Sequence, residues 1–301
     1  MYMRRVRLSH RLLASDRSRS RRLHAGLTFH DQRDFAWEEH AAACSGSGGG
    51  AIVPTNVSAS SQLHTWERHH RAHAAAPVPF FRERRYLLRQ FPVLSTPGLR
   101  LLECGCGNGS SVVPVLRGND TATAHATDVS GEAVALTRRM ADRFGVADRL
   151  TTALADADDP AAEATELFDA ALLIFTASAV PAAGDLSLLR GLAATLRPGG
   201  TVCFRDYGLW DLRHRNDLLA SVTPSSGHEG KQDCARLSES SFLRAGGAFR
   251  RYYSLEDVSE LARAAGLVVS ESRYCCVRLL NKKRALTMDR VYVHAVLSKP
   301  D

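Results

Sequence analysis

The chain has 301 residues, of which 45% are hydrophobic and 24% are charged, with 22 Gly and 11 Pro. This composition suits one globular domain of about 200 to 250 residues with extensions, and it excludes a collagen-like or wholly disordered chain. Because no run of about 18 consecutive apolar residues occurs, the sequence also excludes a membrane-spanning helix and predicts no membrane partner.

The formal net charge of +7 comes from a basic leader over residues 1–25, which holds eight Arg and a single acid. Its Arg and Ser content predicts either a mitochondrial presequence or a basic arm, so the protein is expected in the cytoplasm or in mitochondria. Residues 26–63 are expected to be a flexible N-terminal segment because they contain the linker SGSGGG. The folded domain is then predicted over residues 64–301.

The rest of the chain is neutral overall but unevenly charged. Residues 66–100 and 236–301 are basic, whereas residues 101–205 between them are acidic. This layout predicts either basic flanks that hold a polyanion around a less basic centre or ordinary solvated faces. The 7 Cys and 12 His show no metal-ligand spacing, so reduced thiols and no metal site are predicted.

Apolar periodicity predicts alternating helices and strands along the first part of this domain. A helix over 80–94 is expected to lead into the core. Strands with helices between them are predicted within residues 99–104, 122–128, 149–156 and 168–180. The last of these is apolar throughout, which is typical of a strand that is buried on both faces.

The second part of the domain begins with a helix over 186–196, the turn RPGG at 197–200 and a strand over 201–208. An irregular polar insert is expected from about 211 to 250. A helix over 254–266 follows, with Ser254 and Asp257 as an N-terminal capping pair. Two final apolar segments, 267–280 and 290–298, predict an antiparallel pair that closes a doubly wound α/β sheet.

The strongest motif is ECGCGNG at 103–109, directly after a strand and opening a helix. Glycines at such a turn let the backbone approach a ligand closely. Asp128 follows about twenty residues later at the end of the second strand, where a carboxylate can accept hydrogen bonds from both ribose hydroxyls. Asp156 ends the third strand, where an acceptor can meet an adenine amine. Taken alone, Asp128 also fits a helix cap.

Together with the apolar fourth strand, the LRPGG tract and the terminal hairpin, these features resemble the class I S-adenosylmethionine-dependent methyltransferases. The resemblance implies a Rossmann-like seven-stranded sheet with a terminal antiparallel hairpin, and S-adenosyl-L-methionine as cofactor. A nicotinamide dehydrogenase is disfavoured because it would have a longer parallel second half.

Further segments resemble the methyltransferase-like tRNA 3-methylcytidine methyltransferases, which modify cytidine 32 of the anticodon loop. The matching segments are FHDQRDFAWEEHAAA at 29–43, Trp66 with FFRERRYLLRQFPVL at 80–94, LLIFTASAV at 172–180, FRDYG at 204–208 and NKKRALTMDRVYV at 281–293. The resemblance implies tRNA as the partner. It also implies, for some members, an auxiliary protein such as an aminoacyl-tRNA synthetase.

Position by position, the family's cofactor contacts fall on Trp66, His70, Gly105, Gly107, Asp128, Asp156, Ala157 and Ile174. Two of these depart from the pattern, since the family usually has Tyr in place of His70 and often Leu in place of Ala157. Trp66 also fits an anchor of the apolar core. Phosphate contacts are expected from Arg244, Lys282, Lys283, Arg284 and Arg290. Residues 221–248 depart from the family, so the RNA contacts of that stretch are the least defined.

The resemblance places Arg205, Asp206 and Tyr207 beside the methyl donor and the target base as catalytic residues. Cytosine N3 has a lone pair at neutral pH, so transfer requires in-line placement at about 3 to 3.5 Å. Asp206 is expected to stabilise the charge that develops on the base, Tyr207 to stack on the base, and Arg205 to contact phosphate or hold Asp206. An Arg205–Asp206 salt bridge at a strand end is the alternative.

Two other functions fit the same motifs. One is a class I methyltransferase that acts on a protein or a small molecule, whose activity ribonuclease would not affect. The other is a binding subunit that has lost the cofactor, which the intact Gly105, Asp128 and Asp156 disfavour.

Overall fold

The computed structural model describes residues 34–46, 48–53, 55–74, 82–181, 184–222, 234–281 and 286–301. The basic leader and three of the expected phosphate contacts, Lys282, Lys283 and Arg284, lie outside the described residues. Ten strands and eight α-helices are named here, in chain order, within the described ranges.

The strands are β1 Arg100–Cys104, β2 Thr123–Asp128, β3 Leu150–Leu154, β4 Phe168–Ile174, β5 Leu196–Tyr207, β6 Cys234–Arg236, β7 Ser241–Arg244, β8 Phe249–Arg251, β9 Val268–Asn281 and β10 Leu286–Ser298. Seven of them form one sheet in the order β3-β2-β1-β4-β5-β10-β9. Strands β1 to β5 are parallel, and β10 runs antiparallel to both β5 and β9. The predicted Rossmann-like sheet with a terminal antiparallel hairpin is therefore confirmed.

The helices are α1 Trp37–Cys44, α2 Ala59–Ala74, α3 Leu87–Gln90, α4 Val112–Gly118, α5 Gly131–Phe144, α6 Asp185–Thr195, α7 Leu212–Val222 and α8 Leu255–Ala264. Among these described helices, none combines the length and the apolarity that a bilayer crossing requires. The two faces of the sheet are covered by two buried apolar clusters, one built on α6 and α8 and the other on α3 and α4. Between them, β4 is buried over Ala170–Ile174, as its apolar sequence predicts.

Local capping sets the ends of the predicted helices. At the start of α8, Ser254 Oγ accepts a hydrogen bond from the Asp257 N–H at 3.0 Å, and the Asp257 carboxylate accepts one from the Ser254 N–H at 2.8 Å. This reciprocal pair satisfies two amides that have no partner within the helix. Helix α5 begins with Ser130 as its cap, so Asp128 is not the capping residue.

Two predicted elements are shorter than the sequence pattern indicates. The expected helix over 80–94 is reduced, within the described residues, to α3 and a 3₁₀ turn over Pro92–Ser95, because Pro92 has no N–H to continue the helix. The expected strand over 168–180 ends at Ile174, because Phe175 adopts a left-handed conformation with φ of 59°.

The segments expected as the RPGG turn and an irregular insert have regular structure. The RPGG tract forms the beginning of β5, where Gly199 N donates to Lys299 O and Lys299 N donates to Gly200 O. The insert contains α7 and a separate antiparallel sheet in the order β6-β7-β8. Its partners come from distant sequence: Ile52 bridges to Arg236, and the Gln62 side chain bonds to the β7–β8 turn. Long-range pairing of this kind leaves no local periodicity to predict.

The described part of the N-terminal segment contacts the terminal hairpin. Trp37 stacks on Tyr274 with ring centroids 4.2 Å apart, and Asp34 N donates to Cys276 O at 3.0 Å. The Arg278 N–H donates to the Asp34 carboxylate at 2.8 Å. Residues 34 to 37 therefore lie beside β9, the edge strand of the main sheet.

Candidate active site

The strand order reverses between β1 and β4, which are neighbours in the sheet but leave it toward opposite sides. In doubly wound sheets, ligands bind at the carboxyl ends of the strands beside such a switch point. The glycine loop, Asp128, Ile174 and the end of β5 all lie at this edge. The edge is therefore the candidate active site.

The glycine loop after β1 is held by backbone hydrogen bonds. Gly105 N and Cys106 N both donate to Thr127 O, at 2.8 and 2.9 Å. Gly105 has a φ of 75°, and a Cβ added there would lie 2.4 Å from the Thr176 side chain. Only glycine fits this position, so the loop presents bare backbone beside the end of β4.

Asp128 ties the glycine loop to the start of α5. Its Oδ2 accepts a hydrogen bond from Gly107 N at 2.9 Å and its Oδ1 accepts one from Ser130 N at 3.0 Å. Burial raises the pKa of this carboxyl to about 6. Each carboxylate oxygen can accept more than one hydrogen bond, so Asp128 retains acceptor capacity for a ligand hydroxyl.

Glu103 joins the end of β1 to the start of α4, on the two sides of the glycine loop. No function was assigned to it from the sequence. It is 1% exposed, and its Oε2 accepts a hydrogen bond from Val112 N at 3.0 Å. Burial raises the pKa of Glu103 to about 7. Its position as the first residue of the ECGCGNG motif is the only signal in the sequence that points to it.

The other expected cofactor contacts lie on the same side of the sheet. Asp156 is exposed after β3, and its Oδ1 accepts hydrogen bonds from Asp158 N at 2.9 Å and from Asp159 N at 3.2 Å. Ala157 is half-buried beside it, and Ile174 is 2% exposed at the end of β4. Their cofactor contacts stay predictions.

Helix α2 carries Trp66 and His70, whose ring centroids are 6.0 Å apart. Trp66 is half-buried and His70 is buried. Burial lowers the pKa of His70 to about 4, so its imidazole is neutral at pH 7. A neutral imidazole keeps one donor and one acceptor nitrogen, which preserves the hydrogen-bonding capacity of the tyrosine it replaces.

Glu67, which sequence reasoning missed, attaches α2 to Ser130, the residue that caps the start of α5. Its Oε2 accepts a hydrogen bond from Ser130 Oγ at 2.5 Å, and this bond lowers the pKa of Glu67. The same helix is also bound to the β7–β8 turn, because Gln62 Nε2 donates to Gly247 O and Arg68 Nη2 donates to Gly246 O, both at 2.9 Å. Helix α2 therefore links the start of α5 to the small sheet.

Replacing Glu67 by alanine is expected to weaken cofactor binding by about tenfold, because a hydrogen bond to a charged group contributes about 1.5 to 3 kcal/mol. The measurement is calorimetric titration with S-adenosylhomocysteine. Arg71→Ala is the matched control: Arg71 meets Glu67 at 3.3 Å with 69% of its side chain exposed, so its loss should leave the affinity unchanged. An unchanged affinity in Glu67→Ala would show that the bond between Glu67 and Ser130 does not support cofactor binding.

Arg205 and Asp206 project from opposite faces of β5, as adjacent strand residues do. Arg205 is buried; its Nη1 donates to Gln90 Oε1 at 2.7 Å, and its guanidinium lies 5.1 Å from the ring centroid of Tyr292. Arg205 thus contacts α3 and the terminal hairpin rather than Asp206. The salt-bridge alternative does not describe this strand end.

Asp206 is fully buried and fixes the segment that follows β4. Its Oδ2 accepts a hydrogen bond from Ser178 N at 2.9 Å, and its Oδ1 accepts one from Tyr207 N at 2.8 Å. Burial raises the pKa of Asp206 to about 6. Direct contact between this carboxylate and a target base stays a prediction, as does the stacking of a base on Tyr207.

Tyr207 is half-buried at the carboxyl end of β5, within a group of aromatic residues. Its ring centroid is 5.0 Å from that of Phe175 and 6.2 Å from that of Tyr292. Phe175 is a non-glycine residue with positive φ, a conformation that persists at functional sites where surrounding contacts enforce it. A phenylalanine in the sequence does not indicate a left-handed backbone conformation, so this feature of Phe175 could not be predicted.

Two of the expected phosphate contacts are paired with acids. Arg290 Nε is 2.7 Å from the Asp211 carboxylate with 13% of the Arg290 side chain exposed. Arg244 is more accessible and lies 3.3 Å from the Asp217 carboxylate. Their contacts with RNA stay predictions.

Comparison with known proteins shows relatives among methyltransferases. A family described as "Methyltransferase domain" matches residues 102–202. O-methyltransferase 3 of Dictyostelium discoideum is 29% identical over 204 residues, 67% of this chain and 44% of that protein. The tRNA(Thr) (cytosine(32)-N(3))-methyltransferase of Saccharomyces cerevisiae is 26% identical over 73% of this chain and 35% of that protein. This chain thus spans less than half of the length of either relative.

The tRNA N(3)-cytidine methyltransferase METTL6 of Rattus norvegicus matches over most of its length. It is 30% identical over 233 residues, which are 73% of this chain and 75% of that protein. Among solved structures, a SAM-dependent methyltransferase from Anabaena variabilis superimposes with a TM-score of 0.60, at 16% identity, over 84% of this chain and 99% of that one. The structural match supports the fold alone, because the identity is 16%. The identity and coverage of the rat relative are high enough to assign this chain to a family.

Proposed function

Because this chain belongs to the family of tRNA N(3)-cytidine methyltransferases, we propose that it transfers a methyl group from S-adenosyl-L-methionine to N3 of a cytidine in tRNA. The observation that carries the proposal is the meeting of the glycine loop, Asp128 and the FRDYG strand end at one edge of the sheet. A donor site and an acceptor site are then adjacent, as group transfer requires.

The residues at this edge fit S-adenosylmethionine. Gly105 has no side chain between its backbone and a ligand, Asp128 offers acceptor oxygens for ribose hydroxyls, and Asp156 offers an exposed acceptor for the adenine amine. Trp66, His70, Gly107, Ala157 and Ile174 complete the proposed cofactor contacts. The bound cofactor supplies an electrophilic methyl group on a sulfonium.

The acceptor side requires placement more than proton removal. Cytosine N3 has an available lone pair and carries positive charge after methylation, so a carboxylate close to the base favours the transition state. Asp206 is the carboxylate proposed for this, and it ionises with a pKa of about 6. N3 lies on the pairing edge, so the target base must be unpaired or turned out of its stack.

We assign position 32 of the anticodon loop as the target nucleotide. The name of the Saccharomyces relative specifies that position for that enzyme, and FRDYG and LTMDRV support the same branch here. A need for an auxiliary protein such as an aminoacyl-tRNA synthetase belongs to the same proposal. So does a cytoplasmic or mitochondrial location directed by the leader.

The test is methyl transfer from labelled S-adenosylmethionine to total tRNA, with and without ribonuclease. We expect label in tRNA that ribonuclease removes. A transcript with uridine in place of cytidine 32 is the matched control and should accept no label. Label that survives ribonuclease, in protein or in a small molecule, would instead support the alternative of a methyltransferase with such an acceptor.

A further inference from the structure

Three arginines from three different elements surround the ring of Tyr207. The guanidinium carbons of Arg213 on α7, Arg250 on β8 and Arg290 on β10 lie 5.4, 5.4 and 5.9 Å from its centroid. We call these three residues the Tyr207 arginine group. Arg213 and Arg250 belong to the insert that was expected to be irregular, so the sequence pattern gave neither of them a role.

Buried carboxylates pair with two members of this group. Asp211 is fully buried and lies 2.7 Å from Arg290. Asp217 is 4% exposed and lies 3.8 Å from Arg250, and it also meets Arg244 at 3.3 Å. These two carboxylates offset the charges of the inner arginines and hold them in place.

Arg213 is the member without such a pair. It is exposed, and it forms no ion pair with a carboxylate of the described residues. Its backbone N–H donates to Asp211 Oδ1 at 2.9 Å, which fixes the start of α7 and the point from which the side chain extends. The Tyr207 arginine group therefore presents one uncompensated positive charge on the exposed side of the ring.

Arg250 contributes unused hydrogen-bonding capacity. Its Nη1, the atom that faces Asp217 at 3.8 Å, is buried and has no hydrogen-bond partner among the described residues, because that distance is too long for a hydrogen bond. A buried donor without an acceptor costs free energy, so an anion that reaches this nitrogen would be favoured. Guanidinium groups that rest on an aromatic ring are also pre-oriented, which reduces the entropy lost when they bind an oxyanion.

The position of the group indicates which anion it binds. Tyr207 ends β5 and is the residue expected to stack on the target base, so the arginines around its ring lie beside the place proposed for that base. A base alone does not complement this charge, and methylation adds a positive charge to it. A nucleotide of an RNA strand brings a phosphodiester on each side of its sugar, and guanidinium is the side chain best suited to bind that group.

We propose that Arg213 and Arg250, supported by Tyr207, bind the phosphodiester adjacent to the target nucleotide. This inference rests on the proposed function, because it takes the substrate to be RNA. It assigns Arg213 and Arg250 the binding of one backbone phosphate. It assigns Asp211 and Asp217 the positioning of the arginines around the ring.

The experiment uses a hairpin RNA that carries the target cytidine in its loop. In a second RNA, a methylphosphonate replaces the phosphodiester on one side of that cytidine, and in a third it replaces the one on the other side, which removes a single charge in each. Both are compared with the unmodified hairpin using wild-type protein and the Arg213→Gln variant. The quantities measured are the KM and kcat for RNA and the Kd for S-adenosylhomocysteine.

We expect one of the two methylphosphonates to raise the KM of the wild type by about tenfold, the effect of losing one charge-assisted contact. Arg213→Gln should raise the KM for the unmodified hairpin by a similar factor, with the Kd for S-adenosylhomocysteine unchanged. Because both changes remove the same contact, that methylphosphonate should have little further effect on the variant. Arg250→Gln should show the same coupling.

Two controls make the coupling specific. Arg139→Gln removes an exposed arginine of α5 and should leave the KM for every hairpin unchanged. A methylphosphonate in the stem should affect the wild type and Arg213→Gln equally. Because Arg213 is exposed, Arg213→Gln should retain the melting temperature of the wild type. Arg213→Lys keeps the charge, so its KM for the unmodified hairpin should fall between those of the wild type and Arg213→Gln.

Independent, multiplicative effects of Arg213→Gln and of both methylphosphonates on KM would overturn the inference, since Arg213 would then contact neither phosphate. Failure of the proposed function would look different: wild-type protein would bind S-adenosylhomocysteine and transfer no methyl group to any hairpin or tRNA.

Discussion

Gly105→Ala is expected to weaken binding of S-adenosylhomocysteine by about 100-fold, which corresponds to about 2.7 kcal/mol, because the new Cβ clashes with the Thr176 side chain and alanine is strained in a left-handed backbone. The new Cβ would lie 2.4 Å from the Thr176 side chain, at a φ of 75°. Thr176 cannot move freely, because its Oγ1 donates to Cys104 O at 3.1 Å. The loop must therefore shift away from the ligand. Calorimetric titration measures the effect.

Gly98→Ala is the matched control for this substitution. Gly98 has a φ of 71°, nearly that of Gly105, but a Cβ there would meet nothing within 4 Å. Its replacement should cost about 1 kcal/mol of stability from backbone strain alone and leave the affinity for the cofactor unchanged. A folded Gly105→Ala protein that binds S-adenosylhomocysteine within about threefold of wild type would contradict the assignment of the glycine loop.

Asp206→Asn is expected to lower kcat by a factor on the order of 100 to 1,000, the cost of removing a group that stabilises transition-state charge in a site that excludes water. Asp206→Ala should abolish transfer. Both variants should retain nearly the wild-type affinity for S-adenosylhomocysteine, because Asp206 bonds to Ser178 N and Tyr207 N and not to the glycine loop. An Asp206→Ala protein with substantial activity would remove Asp206 from the mechanism.

The pH dependence of kcat gives an independent check on Asp206. Burial raises its pKa to about 6, so the carboxyl is neutral below that pH and ionised above it. The wild-type kcat at saturating cofactor should therefore rise as the pH increases through about 6, and this step should disappear in Asp206→Asn. Asp128 ionises in the same range, but its effect should enter through cofactor affinity, which saturation removes.

Glu103 is a second buried acid whose ionisation could affect kcat, because burial raises its pKa to about 7. The variant Glu103→Gln distinguishes its ionisation from that of Asp206. Glutamine keeps an oxygen that can accept the hydrogen bond from Val112 N. The variant should retain the rise in kcat near pH 6. Loss of that rise in Glu103→Gln, with the rise intact in Asp206→Asn, would assign the titration to Glu103.

Features of the fold that depend on local sequence could be predicted. The strands β1 to β5 carry apolar residues at the required spacing, α8 has its capping pair, and the glycine loop has its motif. The terminal hairpin follows from two apolar segments that pair along nearly their whole length. Each of these signals lies within about fifteen consecutive residues, which is why the sequence reveals them.

Features that depend on distant partners could not be predicted. The small sheet β6-β7-β8 is stabilised from outside, by Gln62 on α2 and by the segment around Ile52. Phe175 stops β4 through its backbone conformation and not through its residue type. Neither feature has a period or a motif that a single sequence displays.

The candidate site shows the same division. Of the predicted cofactor contacts, Gly105, Asp128, Asp156 and Ile174 lie at or just after strand ends, so their common edge could be inferred from topology. Glu67 acts through Ser130, 63 residues away, and Arg213 acts through a ring on β5, so neither could be found by spacing. The phosphate contact of Arg290 stays a prediction, and its pairing with Asp211, a buried acid that no motif marks, could not be inferred from the sequence.

The most direct test of the central claim is nucleoside analysis of tRNA after incubation with this protein and labelled S-adenosylmethionine. The account predicts label in 3-methylcytidine for the wild type and none for Asp206→Ala, at equal affinity of the two proteins for S-adenosylhomocysteine. Label in another nucleoside, or in a hydroxyl-bearing small molecule with unmodified cytidine, would contradict the account.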